Sequence, residues 1–370
     1  MRVAFHTDQL WFSVPGGIGT YVTELRRAFG DLDDAPEVVT FQASERPAGT
    51  PAPDVEIAGS IRRLYPSWDL FGRPPLPGPL ATCDVVHATN HAAIPPASRG
   101  QALVATVHDL AFDAFPDLFP ATWRRLYRLG VRAAIRRADL LLTPSGATAR
   151  ALATRGADPA RIRITPLASF LPPTDADPEE VVARLGIEGP FVLCPATLEP
   201  RKNQVTLIRA YRRIAPELPH TLVLAGPDGW GVEQIAEECA RPGPGAVIRT
   251  GRVSPEDLDA LYRRADAIAY VSRYEGFGLP VLEAMERGTP VVASTTEALA
   301  ETAGDAALLA DPDDVGAIAD ALAAALTDDG LRAMLVARGR ERAAGFSWAA
   351  TARATLDAYR EAVDLAVSRR

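Results

Sequence analysis

Short apolar runs alternate with helix-period patterns along almost the whole chain. "RVAFH" (2–6) is a strand-length run, and the apolar spacing from Ile18 to Phe29 predicts a helix after it. "EVVTF" (37–41), "DVVHAT" (84–89) and "LVATVHD" (103–109) read as further strands. A helix over 121–137, a strand in "LLLTPS" (140–145), a helix from about Gly146 and a strand in "IRITPL" (162–167) follow. The rhythm halts at "SFLPPTDADPEE" (169–180), where Pro, Asp and Glu mark a linker. It then restarts with "FVLCPA", a helix from about Lys202, "TLVLAG", a helix from about Val232, "VIRTG" and a helix over 255–264. "AIAYVS", a helix over 280–287, "PVVAS" and "ALLA" come next, then helices to the end. This is the βαβ alternation of parallel sheets covered by helices on both faces. It predicts an α/β chain of two Rossmann-like, doubly wound domains of similar size. Ligands of such sheets bind beyond the carboxyl ends of the strands, so a cleft between two of them is the expected site.

Composition narrows the function classes. At 47% apolar and 23% charged residues over 370 positions, the chain has the balance of a soluble two-domain protein. It has no apolar run near the ~18 residues of a membrane span, and its start lacks the pattern of a signal peptide. Cys83, Cys194 and Cys239 are distant and odd in number, which argues against disulfides and zinc and fits the cytoplasm. A net charge of −8 disfavours nucleic acid as a partner, so any bound anion must be held by local groups.

That constraint directs attention to "LEPRKNQ" (198–204). Lys202 is the one lysine among 39 Lys and Arg residues, and it stands beside Arg201 after a predicted strand. Cations at a helix start oppose the helix dipole, and a bound anion would reverse that penalty. The plainer alternative is a solvated pair on a loop. "VPGGIGTYVTEL" (14–25) places Gly16 and Gly17 where backbone N–H groups could approach a phosphate, or where a tight turn simply needs them. It is not a GxGxxG fingerprint, since Val22 stands where the third glycine would be. In "YEGFGLPVLEAMERGTPVVAS" (274–294), Pro280 suits a first helical turn and Gly288 a C-cap. Glu275 and Glu283 bracket the Gly276–Phe277–Gly278 loop. Two carboxylates so spaced can serve two ends of one ligand, and a carboxylate suits a vicinal diol such as that of ribose. Glu283 could instead be a helix-dipole partner.

The last segment resembles the E-x7-E motif of retaining glycosyltransferases of the GT-B fold, in particular family 4, and the likeness spans most of the chain. "PGGIG" resembles that family's N-terminal glycine loop, "TVHDLAF" (106–112) its His-bearing strand end, and "LTPS" (142–145) the segment closing the first domain. "ATLEPRKN" resembles its donor-phosphate turn, and "GRVSPEDLDALYRRADAIAYVS" the approach to the acidic loop. "FSWAATARATLDAYREAV" (346–363) resembles its terminal helix. The resemblance implies an acceptor-side domain over 1–170, a donor-binding domain over 171–347 and a helix, 348–370, that returns to the first domain. It implies Glu275 and His108 as catalytic residues at the reacting sugar. Gly16, Gly17, Arg201, Lys202, Gly276, Phe277, Gly278, Leu279 and Glu283 would bind the donor, with Arg201 and Lys202 on the diphosphate and Glu283 on the ribose. Many members carry an Arg at the position of Thr197; here Arg201 adjoins Lys202 instead, as in a subset that reads "PRKN".

The expectation is a retaining hexosyltransferase that uses no cofactor or metal. Its donor is a nucleotide sugar; the "LEPRKN" form resembles bacterial polysaccharide mannosyltransferases, and that resemblance implies GDP-mannose, with a glycan or a lipid-linked glycan as acceptor. "DPDD" (311–314) reads as a helix start with Asp311 as cap rather than as metal ligands. "TWRRLYRLGVRAAIRR" (122–137) lines up Arg124, Arg128, Arg132 and Arg136, either as a solvated face or as a peripheral contact with the inner face of the membrane. "RRLYPSWDLFGRPP" (62–75) reads as a loop. A UDP-sugar donor, a sugar-nucleotide epimerase and a non-catalytic subunit of a glycan-assembly complex are the alternatives left open.

Overall fold

The strands among the described residues fall into two sheets, each parallel throughout. The computed structural model describes residues 1–11, 16–43 and 52–368. Two units are distinct: Met1–Leu167 with Ser347–Arg370, and Ala168–Phe346.

Unit 1 contains β1 (Arg2–His6), β2 (Glu37–Gln42), β3 (Val55–Glu56), β4 (Val85–Ala88), β5 (Ala102–Thr106), β6 (Leu140–Thr143) and β7 (Ile162–Ile164). Their order in space is β3-β2-β1-β4-β5-β6-β7. The inner strands are unbroken apolar runs because helices bury both faces; all of β5 and β6 is buried. The C-terminal helix Trp348–Ser368 belongs to this unit. Arg353 Nη1 meets both oxygens of Asp34 at 2.7 Å, and Arg163 Nε meets Glu361 Oε2 at 2.8 Å. Deeper, Tyr359 Oη lies 2.6 Å from His87 Nδ1.

Unit 2 contains β8 (Phe191–Pro195), β9 (Thr221–Ala225), β10 (Val247–Gly251), β11 (Ala267–Tyr270), β12 (Val291–Ser294) and β13 (Leu308–Ala310), in the order β10-β9-β8-β11-β12-β13. Strand order reverses between β8 and β11, where Ala267 pairs with Val192 and Ile268 with Leu193. In unit 1 the matching reversal lies between β1 and β4. Loops leaving such neighbouring strands diverge to opposite faces and open a crevice at their carboxyl ends.

Two local expectations are corrected. Residues 62–75 are not a loop: Ile61–Phe71 is a helix that buries Leu64, Tyr65, Trp68 and Asp69, despite Pro66. Burial of an indole, with Trp68 fully inaccessible, outweighs the lost backbone bond. The cap of the helix Val315–Thr327 is Asp314, not Asp311: its Oδ1 accepts from Gly316 N at 2.8 Å and Ala317 N at 3.0 Å. Asp311 instead accepts from Asp313 N at 2.9 Å, in the turn before the helix. The segment after Ala168 is anchored to unit 2. Asp259 Oδ2 accepts from Thr174 Oγ1 at 3.0 Å, its Oδ1 accepts from Arg287 Nε at 3.0 Å, and Arg287 Nη2 reaches the Leu171 carbonyl.

Candidate functional site

Two loops leave the reversal point of unit 2. The first, after β8, carries residues 196–203. Pro200–Lys202 forms a 3-10 turn, and Asn203 follows in the left-handed region with φ 65°. The helix expected from about Lys202 therefore starts at Gln204, and Arg201 and Lys202 precede it. Asn203 tolerates the conformation because its amide replaces missing partners. Its Nδ2 donates to the Val271 carbonyl at 3.1 Å and the Pro312 carbonyl at 2.7 Å, while Thr206 Oγ1 donates to its Oδ1 at 2.7 Å.

The second loop, after β11, carries Glu275–Gly278 into the helix Leu279–Arg287. Gly278 caps that helix at φ 111°, and a Cβ there would lie 2.4 Å from Leu299 Cδ2. Only glycine satisfies both the dihedral and the space. Phe277 is buried against Phe346, and its carbonyl accepts from Thr302 Oγ1 at 2.7 Å. Pro280 lies in the first turn and Gly288 is the left-handed C-cap.

The loops meet through charge. Lys202 Nζ donates to Glu275 Oε1 at 2.7 Å and to Tyr270 Oη at 2.7 Å. Arg201 Nη1 donates to Glu275 Oε2 at 3.1 Å, and its Nε and Nη2 donate to Glu199 Oε1 at 3.0 and 2.7 Å. The lone lysine is thus not a solvated residue; its side chain is 12% exposed. Burial would raise the Glu275 carboxyl, but Lys202 and Arg201 overcome it and hold the group at about 2. Burial, aided by Arg201, moves the Lys202 ammonium below its ordinary value, while Glu275 and Glu199 oppose that shift.

Glu283 has the contrary setting. It points inward from its helix, 4% exposed, and accepts from Tyr262 Oη at 2.7 Å. Burial pushes its carboxyl up to about 7, against the Tyr262 hydrogen bond and Arg287. A solvated dipole partner would not be so buried. Two carboxylates eight residues apart are thereby driven towards opposite protonation states, an arrangement that lets one stay charged while the other exchanges a proton near neutrality.

In unit 1, Gly16 and Gly17 are exposed and open the helix Gly16–Gly30, which starts earlier than Ile18. Gly16 has φ 58° and open space about a notional Cβ. Val14 and Pro15 of the glycine stretch lie outside the described residues. His108 follows β5, is buried, and has Nε2 2.8 Å from the Thr89 carbonyl. A carbonyl only accepts, so Nε2 carries the proton and Nδ1 the lone pair. Burial keeps the ring's pKa low, opposed by that bond and by Asp109. The Tyr21 ring stands edge-on to it at 4.8 Å.

Comparison with known proteins agrees with this architecture. Residues 15–168 match the family model "Glycosyltransferase Family 4", and residues 179–342 match "Glycosyl transferases group 1". The chain is 36% identical over 273 residues to O-antigen chain mannosyltransferase B of Escherichia coli, covering 71% of each protein. The chain belongs to glycosyltransferase family 4. The transferase is also 32% identical to a D-inositol 3-phosphate glycosyltransferase of Kribbella flavida, covering 98% of this chain and 95% of that protein. Among solved structures, HepE of Anabaena in complex with UDP superposes with a TM-score of 0.74 at 20% identity, covering 96% of this chain and 99% of that one. Sucrose-phosphate synthase of Thermosynechococcus elongatus gives 0.72 at 22%, covering 98% of each. These likenesses identify the GT-B type of fold.

Several residues around this candidate site were not singled out by sequence. Glu199, Asn203, Tyr262, Tyr270 and Thr302 each fix a neighbour named above. Only Asn203, after a Pro-initiated turn, carries a local signal, since asparagine favours the left-handed region. The arginine helix is largely engaged within unit 1. Arg128 Nε meets Asp113 Oδ1 at 2.6 Å, Arg124 Nη1 the Pro116 carbonyl at 2.7 Å, and Arg136 Nη2 the Asp69 carbonyl at 3.1 Å. Arg125 and Arg132 are exposed. Among the described residues, no helix is long and apolar enough to cross a membrane, and no cluster of three His, Cys, Asp or Glu residues could hold a metal ion.

Proposed function

We propose that this family 4 glycosyltransferase moves mannose from GDP-mannose, with retention and without a metal or cofactor, to a glycan or lipid-linked glycan acceptor in surface-polysaccharide synthesis. The observation that carries the reading is the chain's one lysine, buried at the β8–β11 reversal with the ionised Glu275 against it. Negative charge grows on the diphosphate as its bond to the sugar breaks, and a preorganised ammonium there acts where the charge develops. Lys202 takes that role. Glu275, charged at any working pH, faces the hexose, whose anomeric carbon becomes cationic. The Gly276–Phe277–Gly278 backbone and Leu279 line the donor, and Glu283 takes the ribose hydroxyls. For unit 1, the family resemblance implies His108 at the reacting sugar and the Gly16–Gly17 backbone at the donor.

Mannose as the transferred sugar is supported by the 36% identity to a mannosyltransferase. A second reading, transfer to a small phosphorylated acceptor such as D-inositol 3-phosphate, is favoured by a match that spans 98% of the chain. Exposed Arg125 and Arg132 are available for a peripheral contact with anionic lipid at the inner membrane face.

The test is incubation of the full chain with GDP-mannose and, separately, UDP-hexoses. Each is presented alone, with D-inositol 3-phosphate, and with a lipid-linked glycan extract. GDP release with an α-mannosylated product supports the proposal. A UDP-hexose product changes the donor, and the inositol product selects the second reading. A changed nucleotide sugar without any acceptor would establish the epimerase instead.

A further inference from the structure

We infer that Glu199 and Arg201 form a positioning pair for Glu275, and that Lys202 alone of the two adjacent cations meets the diphosphate. The inference rests on reading unit 2 as the donor site. It moves Arg201 out of the donor-contacting set in which the sequence motif puts it.

The geometry is that of a staple. One edge of the Arg201 guanidinium, Nε and Nη2, closes on a single oxygen of Glu199, two residues earlier in the same loop. The other nitrogen, Nη1, reaches the second loop, donating to the Tyr274 carbonyl at 2.9 Å and to Glu275 Oε2 at 3.1 Å. A backbone bond from Arg273 N to the Arg201 carbonyl, 2.9 Å, ties the same loops beside it. Arg201 therefore spends its planar fork on protein oxygens in both directions. For it to turn to a phosphate, Glu199 would be left as a buried carboxylate, 5% exposed, without its cation. Breaking a buried pair on one side is strongly unfavourable.

Lys202 differs in kind. Its ammonium has three hydrogens, and the bonds to Tyr270 and Glu275 engage two. A compact charge on a flexible stem can hold Glu275 in the free protein and share itself with an arriving phosphate. On this account Arg201 fixes one carboxylate oxygen, Oε2, and so fixes where Oε1 and the Lys202 charge stand.

The experiment is calorimetric titration of the full chain with GDP and UDP, paired with steady-state turnover of the nucleotide sugar. The variants are Lys202→Ala, Arg201→Lys, Glu199→Gln and the double variant of the last two. Lys202→Ala should lose about tenfold or more in diphosphate affinity. Arg201→Lys and Glu199→Gln should each keep affinity within about twofold, while kcat falls about tenfold with KM little changed. The double variant should lose no more than the worse single, as expected of one unit. A tenfold affinity loss in Arg201→Lys would overturn the inference. So would tighter binding in Glu199→Gln, because a released Arg201 would then be serving the phosphate; this neutral isostere decides the matter if Arg201→Lys does not fold. Unchanged affinity in Lys202→Ala would instead remove the donor-site reading itself, and this inference with it.

Discussion

Replacing Glu283 by glutamine should stabilise the free protein at pH 8 while weakening its hold on the nucleotide. The Glu283 carboxyl is 4% exposed and lies at about 7, against an ordinary value of 4.5. The raised value means that the fold favours the protonated form. Its stability contribution is fully present below pH 4.5 and is lost as pH rises through 7. By pH 8 the ionised carboxylate therefore costs on the order of 3 kcal/mol, at about 1.4 kcal/mol for each tenfold change in proton affinity. Glutamine has no proton to lose, and its oxygen can still accept from Tyr262, so the variant escapes that cost. Urea unfolding followed by circular dichroism at pH 5, 6, 7 and 8 measures the difference between the two proteins. The transition to use is the one that moves with nucleotide, since the two units need not unfold together. Asp69 in unit 1 is also raised to about 7 by burial, but it is common to both proteins and cancels. The predicted difference in favour of Glu283→Gln grows by up to about 3 kcal/mol from pH 5 to pH 8. A difference that stays flat across that range would refute the reasoning.

Other variants probe the remaining parts of the site. Tyr262→Phe removes the Tyr262 hydrogen bond that opposes burial at Glu283, so its carboxyl should rise further; the acid limb of nucleotide binding, measured calorimetrically against pH, should move upward, and an unmoved limb would contradict this. Lys202→Ala should weaken GDP binding by about 1.5–3 kcal/mol, the range for hydrogen bonds to charged groups, while the circular dichroism spectrum stays native. Gly278→Ala must place a Cβ 2.4 Å from Leu299 at φ 111°, and should cost roughly 1–3 kcal/mol in stability along with most of the turnover; wild-type stability would show that the cap relaxes freely.

Much of the architecture was legible because each inner strand is buried on both faces and writes itself as an apolar run. Val247–Gly251 and the helices Ala121–Arg137 and Pro255–Arg264 stand where periodicity put them. The failures were of another kind. Pro66 disguised a helix whose buried face, Leu64, Tyr65 and Trp68, outweighs one missing bond. Two aspartates compete to cap Val315–Thr327, and only the backbone path decides for Asp314. At the site, the unusual lysine and the paired glutamates could be singled out by type and spacing. Their partners could not, because Lys202 and Glu275 lie 73 positions apart and Tyr262 reads as an ordinary helix aromatic. The opposite settings of Glu275 and Glu283 arise only in the folded unit, where Lys202 and Arg201 of the β8 loop close on Glu275 while burial beside Tyr262 governs Glu283.

The central claim, that unit 2 holds a nucleoside diphosphate through Lys202, is tested most directly by thermal unfolding of the full chain with GDP, UDP, ADP, dTDP and NAD at rising concentration. A ligand at about 100 times its Kd adds roughly 2.7 kcal/mol to the folded state. The account predicts such a gain with GDP and its loss in Lys202→Ala. Stabilisation by NAD alone, or a GDP gain that survives the removal of Lys202, would contradict it.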